Sequence, residues 1–217
     1  MEKLKLTAPA EIERESFRII REELAAMGKQ LDPETEDITV RIIHATADFD
    51  FSDSMVYSPG VRGAIESAIR SGGTIVTDTN MALAGISRKA LERFGADAVC
   101  FMADPDVAEA AKERGVTRAA VSMERAAQLH GPVVLAVGNA PTALIRIREL
   151  MDTEGFRPAA VLGLPVGFVN VTASKELILS SGVPHIVSRG RKGGSTVAAA
   201  AVNAVLYGMD PMRGAGR

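Results

Sequence analysis

Gly190-Arg191-Lys192-Gly193-Gly194-Ser195 opens an apolar helical run near the end of the chain and combines three features that suit an anion. Glycines allow close approach to the backbone, a helix N-terminus offers unpaired N–H groups, and Arg189, Arg191 and Lys192 add positive charge. A phosphate or a carboxylate fits that description, and so does a solvated basic turn with Ser195 as the helix cap. Neither a P-loop pattern nor a GxGxxG repeat occurs, so no nucleotide fingerprint of those kinds is present. His44, in Arg41-Ile42-Ile43-His44-Ala45-Thr46-Ala47-Asp48, is the second feature able to do chemistry, because imidazole changes charge near neutral pH. On residue type alone, a lone His on an apolar segment is more often structural than catalytic.

Other reactive residue types carry less. His130 precedes Gly131-Pro132 at a helix end, and His185 precedes a strand. Three scattered His, one Cys and no HExxH or paired-Cys spacing argue against a protein metal site. Cys100 falls inside an expected strand and reads as an inert core thiol. Asp48 and Asp50 alternate with Phe49 and Phe51, as an edge strand or a loop would. Gly138-Asn139-Ala140-Pro141-Thr142 follows a strand and starts a helix, with Asn139 at or near the N-cap. Leu164-Pro165-Val166-Gly167-Phe168-Val169-Asn170 is too apolar for a simple turn and suits either a pocket lining or a subunit interface.

The elements that must hold these loops alternate. Thr74 to Thr77, Ala98 to Met102, Val133 to Val137, Ala159 to Leu162 and Ile186 to Ser188 are apolar runs of strand length. Between and after them, Val61 to Arg70, Val107 to Arg114, Thr117 to Leu129, Thr142 to Met151, Ser174 to Leu179 and Ser195 to Tyr207 read as helices. Before them, Ile12, Ile19, Ile20, Leu24 and Met27 mark one helix after Pro9. Asp32-Pro33 reads as the N-cap and first residue of a second helix, whose face is Ile38, Ile42 and Ala45, although the β-branched run Ile38-Thr39-Val40-Arg41-Ile42-Ile43 also suits a strand. The pattern predicts an α/β fold, three layers α/β/α around a mainly parallel, doubly wound sheet. In such folds ligands bind beyond the carboxyl ends of the strands, which singles out the loops at 78–80, 103–105, 138–141, 164–167 and 189–195.

Composition narrows the partners. The 217 residues suit one large domain, and the expectation is a single domain over 1–217 with a loosely ordered tail at 208–217. A net charge of −2 argues against general nucleic-acid or membrane-surface binding, and no apolar run is long enough to span a bilayer. Met1-Glu2-Lys3-Leu4 does not read as the opening of a signal peptide, and one unpaired Cys suits a reducing cytoplasm. With 33 Ala and 20 Gly but no Trp, packing must come from close backbone approach rather than large aromatic side chains.

In combination, these segments carry a family pattern. Ser16-Phe17-Arg18-Ile19-Ile20, Arg41-Ile42-Ile43-His44, Thr77-Asp78-Thr79-Asn80-Met81, Thr117-Arg118-Ala119-Ala120, Gly138 to Leu144, Pro165 to Val169 and Gly190 to Ser195 occur in order between about Ser16 and Tyr207. The chain resembles the precorrin-8 methylmutase family of corrin-ring biosynthesis. The resemblance implies migration of a methyl group from C-11 to C-12 of a corrinoid macrocycle, a 1,5-sigmatropic shift needing no redox cofactor or methyl donor. It places the family's catalytic His on His44, as proton donor and acceptor, and its substrate-binding Ser and Arg on Ser16 and Arg41. It also implies a homodimer with the site near the interface. A ring edged by carboxylates gives Arg118, Arg191 and Lys192 the expected task of meeting them.

Two departures bear on the substrate. After His44 the chain reads Ala45-Thr46-Ala47-Asp48-Phe49, whereas family members of the aerobic route tend toward Ala-Cys-Gly. That similarity to the anaerobic branch implies a substrate already carrying cobalt and a cobyrinic acid product; the aerobic alternative gives hydrogenobyrinate. Val171-Thr172-Ala173-Ser174-Lys175 stands where other members often have an acidic residue before Ser-Lys. Rival expectations are a tetrapyrrole carrier without catalysis and a nucleotide-dependent α/β enzyme.

Overall fold

The computed structural model describes residues 9–210. Its sheet is built from the apolar runs. β2 (Thr74–Thr77), β3 (Asp97–Val99), β4 (Val133–Val137), β5 (Ala160–Gly163) and β6 (His185–Ser188) pair in parallel, and β1 (Met55–Tyr57) joins β6 antiparallel. The order is β1-β6-β5-β4-β2-β3, with Ile75 opposite Val134 and Leu135 opposite Val161. Every residue of β4, β5 and β6 is buried, as covering on both faces requires.

The period of two divides β4 between two cores. Val134 and Ala136 face a layer made by α2 (Glu36–Thr46), α4 (Val61–Arg70) and α11 (Ser195–Gly208), with Ile38, Ile42, Ile65, Ile69, Val202 and Leu206. Val133, Leu135 and Val137 face the opposite layer of α8 (Arg118–Ala127), α9 (Pro141–Thr153) and α10 (Val171–Leu179), with Met123, Leu144, Ile147 and Ile178. The α/β/α layering expected from the sequence is therefore present. α11 is buried nearly all round, from Val197 to Leu206. Its alanines are explained by α5 (Asn80–Gly85): a Cβ on Gly85 would stand 2.8 Å from the Ala199 Cβ.

Several local expectations need correction. α2 begins at Glu36, with Thr35 in the N-cap position, rather than at Pro33. The Asp32 carboxylate instead accepts from the Glu34 N–H (2.9 Å), and its carbonyl accepts from Thr35 and Glu36, so Asp32 starts a turn that feeds the helix. On α1 (Pro9–Ala26), Ile20 and Leu24 are buried but Ile12 and Ile19 are exposed, as is Met27 just after the helix, because α1 leans on α2 along a narrow stripe. β3 stops at Val99: the chain turns between Phe101 and Asp104 into α7 (Pro105–Arg114), so Cys100 lies just beyond the strand and half-buried. Burial pushes the Cys100 thiol up, which keeps it unreactive. The Asp48–Phe51 alternation is a turn followed by α3 (Phe51–Ser54), and the edge strand β1 comes directly after it. α6 (Arg88–Glu92), like α5, is too short for periodicity to reveal. The expected loose tail does not include 208–210: Gly208 closes α11, Met209 and Asp210 are buried, and Asp210 pairs with Arg93. Residues 211–217 lie outside the described residues.

Candidate active site

α2 buries Ile38, Thr39, Val40, Ile42 and Ile43, which leaves Arg41 and His44, three residues apart, to share its outer side. Phe17 of α1 joins them. Its ring centroid lies 5.0 Å from the Arg41 guanidinium and 5.3 Å from the His44 ring, the latter edge-on at 84°. Arg41 is further sandwiched by the Tyr207 ring at 4.7 Å and donates to Glu13 at 3.0 Å, so only 15% of its side chain is exposed. Two aromatic faces and one carboxylate thus fix the guanidinium. His44 itself is exposed, on the last turn before Ala47 ends α2 in the left-handed region at φ 53°. Ser16 precedes Phe17, and its hydroxyl donates to the Ile12 carbonyl at 2.8 Å.

Four residues beyond His44, Asp48 reaches the basic loop. Lys192 Nζ lies 2.6 Å from both Asp48 Oδ2 and Asp50 Oδ2, and the Lys192 hydrogen bond holds the Asp48 carboxyl below its ordinary value. Arg191, also exposed, sits 5.4 Å over the Phe168 ring. The structure therefore gathers Arg41 and His44 around Phe17 and ties that segment to Arg191-Lys192 through Asp48, while Ser16 is adjacent to Phe17 in the chain with its hydroxyl turned back along α1. Arg118 is not part of this group. It is exposed on the first turn of α8, in the opposite layer, at the rim where Thr117 donates to Thr142 of α9 at 2.9 Å.

Beneath the loops is a rigid block that residue types alone do not reveal. Asp78, fully buried, accepts from the N–H groups of Gly138 (2.7 Å), Asn139 (2.8 Å) and Ala140 (2.6 Å). It thereby fastens the turn that leads into α9; Ala140 holds the N-cap position, with Asn139 just before it and Pro141 in the first turn. β2 and β4 are the neighbours whose outgoing chains diverge, to α5 on one layer and α9 on the other, so Asp78 closes the crevice at the topological switch. Likewise Gly194, not Ser195, precedes α11; the Ser195 hydroxyl bonds Thr79 at 2.7 Å. A Cβ at Gly193 would overlap the Leu164 carbonyl oxygen, so only glycine fits there.

Lys175 is the other residue that sequence reasoning passes over, since a helical lysine ordinarily reads as solvent-facing. It is completely buried, and Nζ donates to Ser188 Oγ, the Gly190 carbonyl and the Lys192 carbonyl at 3.1, 3.0 and 2.8 Å. Burial pushes its ammonium down to about 8 from an ordinary 10.5. Between those values the unfolded chain binds more protons than the folded one, so stability rises with pH through this group. Urea unfolding should therefore show wild type gaining on Lys175→Met between about pH 8 and about pH 10.5; a constant difference contradicts the assignment.

A separate recess lined by Arg21, Glu36, Asp37, Arg62 and Glu66 lies at the opposite end of α2 from His44. Arg62 spans it with ion pairs to Asp37 (2.6 Å) and Glu66 (3.0 Å). Among the described residues, no cluster of three His, Cys, Asp or Glu side chains could hold a metal ion, and no helix is long and apolar enough to cross a membrane.

Comparison with known proteins matches residues 11–208 to the family described as precorrin-8X methylmutase, a span that includes Phe17, Arg41, His44 and the 190–195 loop. The chain belongs to that family. Methylmutases are isomerases, and this one is 41% identical to the cobalt-precorrin-8 methylmutase of Priestia megaterium, with 91% of this chain and 87% of the relative covered. It is 42% identical to the precorrin-8X methylmutase of Pseudomonas aeruginosa, with 89% and 93% covered. The crystallographically analysed precorrin-8X methylmutase of Thermus thermophilus superimposes with a TM-score of 0.81 at 38% identity, covering 90% of this methylmutase and 95% of that chain. Relatives named cobalt-precorrin-8 methylmutase and precorrin-8X methylmutase are thus about equally similar to this chain.

Proposed function

We propose that this methylmutase moves a methyl group from C-11 to C-12 of a cobalt-containing corrin precursor, giving cobyrinic acid. The observation that carries the reading is the exposed His44 ring beside a guanidinium immobilised on Phe17. The C-11–methyl bond breaks as the C-12–methyl bond forms, within one molecule. His44 gives a proton to the conjugated ring system, which draws electron density away from the migrating centre toward the protonated site and lowers the barrier, and it takes the proton back afterwards. Arg41, with Ser16 nearby on α1, orients the ring, and Arg191 and Lys192 meet its peripheral carboxylates. Arg118 meets a further carboxylate from the opposite rim. Cobalt enters with the substrate, a choice supported by Ala45-Thr46-Ala47 following His44 in place of the Ala-Cys-Gly common in aerobic members. The test incubates the enzyme with the cobalt and the metal-free macrocycles and follows the absorption spectrum. Conversion of the cobalt form is expected; conversion of only the metal-free form transfers the assignment to the aerobic substrate. Binding of both without conversion makes the protein a carrier.

The functional unit is a homodimer formed partly by the loop after β5. Phe168 and Val169 are 84% and 78% exposed, and Val166 is also exposed, an apolar run that water solvates poorly. A second copy is the occupant proposed, since Arg191 of the basic loop packs on Phe168 and covering this face would dry the rim of the site. Phe168→Asp should shift the protein toward monomer in sedimentation velocity at micromolar concentration. An unchanged dimer removes this loop from the interface.

A further inference from the structure

Lys175 does no chemistry in the reaction described. An ammonium enclosed with three neutral partners and no carboxylate carries a desolvation penalty that its three hydrogen bonds must offset, so burying the charge is in itself a cost to folding. What Lys175 supplies is a count of donors. An ammonium has three N–H groups and no acceptor, and here each meets one acceptor. Ser188 donates its own proton to the Lys192 carbonyl at 2.8 Å, so its oxygen is left to receive from Lys175. Gly167 N–H donates to the Arg191 carbonyl at 3.2 Å. The carbonyls of 190, 191 and 192 are therefore all bound by neighbouring groups, two of them by one ammonium, while the Arg191 and Lys192 side chains are exposed.

We propose that Lys175 is a positioning residue that sets the 190–192 loop from beneath, so that Arg191 and Lys192 are already placed when substrate carboxylates arrive. The proposal rests on the carboxylate-binding reading of that loop given above. Preplacement matters because an unrestrained glycine-flanked loop would lose its freedom only on binding, at the expense of affinity. Gly193 and Gly194 make the need concrete: glycines permit the close passage under Leu164, where Gly194 N–H reaches the Leu164 carbonyl at 2.8 Å, but they also loosen the segment unless it is fastened. With its value pushed down only to about 8, the ammonium also adds positive charge beneath Arg191 and Lys192, the second of which is shared with Asp48 and Asp50.

The test titrates the folded enzyme with cobyrinic acid and measures kcat and KM separately in Lys175→Met, in Arg191→Ala/Lys192→Ala, and in the triple variant. Lys175→Met should weaken ring binding and raise KM by about tenfold, the worth of one charge-assisted hydrogen bond, with kcat within about twofold. In the variant already lacking both cations it should add less than about twofold, because there is nothing left to place. A purely structural lysine would lower the unfolding temperature and multiply the defect equally in both backgrounds, and that result overturns the proposal. If Lys175→Met binds normally while the double variant does not, Lys175 is not a positioning residue and the loop reading stands. If the double variant binds normally, the loop reading fails and this inference with it. Should Lys175→Met not fold, Ser188→Ala removes one of the three acceptors and keeps the cation; a loss of about threefold that vanishes in the double background supports the proposal, and no loss overturns it.

Discussion

His44→Ala should lose about 10²–10⁴-fold in kcat, the range expected when a positioned general acid–base group is removed. Ring binding should change little, because the residues proposed to hold the ring are elsewhere: Arg41 is kept in place by Phe17, Tyr207 and Glu13 whether or not the imidazole is present. His44 contributes one edge-on contact to Phe17, on an exposed turn, so the variant should fold with nearly unchanged stability. The measurement pairs single-turnover conversion of the macrocycle with product titration by absorbance. A variant that retains kcat within about tenfold would remove His44 from the chemistry, since no general acid–base role of ordinary size fits so small a loss. Equal losses in binding and turnover would make it a binding residue instead.

The second large effect lies in the block below the site. Asp78→Ala should destabilise the fold by about 3–5 kcal/mol, because it strands three N–H groups to which, among the described residues, no other side chain is bonded. For a chain of this size that is a fall in melting temperature on the order of 10 °C. The pH dependence has a definite sign. Burial raises the Asp78 carboxyl above its ordinary 3.8, against the three N–H bonds that pull it down. A raised folded-state value means that the group's contribution is full below 3.8 and diminishes as pH rises through the folded value, so the gap between wild type and Asp78→Ala should narrow with rising pH. Melting curves across the acid range check this. A loss below about 1 kcal/mol would mean that water replaces the carboxylate and that the loop between β4 and α9 is not held by it.

What the sequence discloses follows from how strongly each feature is over-determined. Val133 to Val137 and Ile186 to Ser188 are legible as strands because burial on both faces leaves no polar alternation, and α11 is legible because its apolar surface leaves it nowhere but the core. Met55-Val56-Tyr57 is not legible: it is three half-buried residues whose pairing to β6 is decided by a distant segment. Asp32-Pro33 imitates a helix start, yet the Asp32 carbonyl and carboxylate together build a turn that delays the helix to Glu36. In the site, His44 is indistinguishable by residue type from a structural histidine, and only the family pattern singles it out. Asp78 and Lys175 escape for a common reason. Each is a charged residue most of whose partners are backbone groups contributed by other loops, and backbone groups leave no trace in composition or spacing.

The two outer strands of the sheet deserve a last consequence. β1 and β3 are each only three residues long, and Asp97 exposes a carboxylate on the second. Neither offers a foreign chain enough unpaired backbone to dock against, and the negative charge repels one that tries. Open-ended strand addition, which has no natural stopping point, is thereby disfavoured, whereas the two-fold contact proposed for the exposed apolar loop at Val166 to Val169 would close on itself. The short edges should let the protein be concentrated without fibrils, the Phe168→Asp variant included.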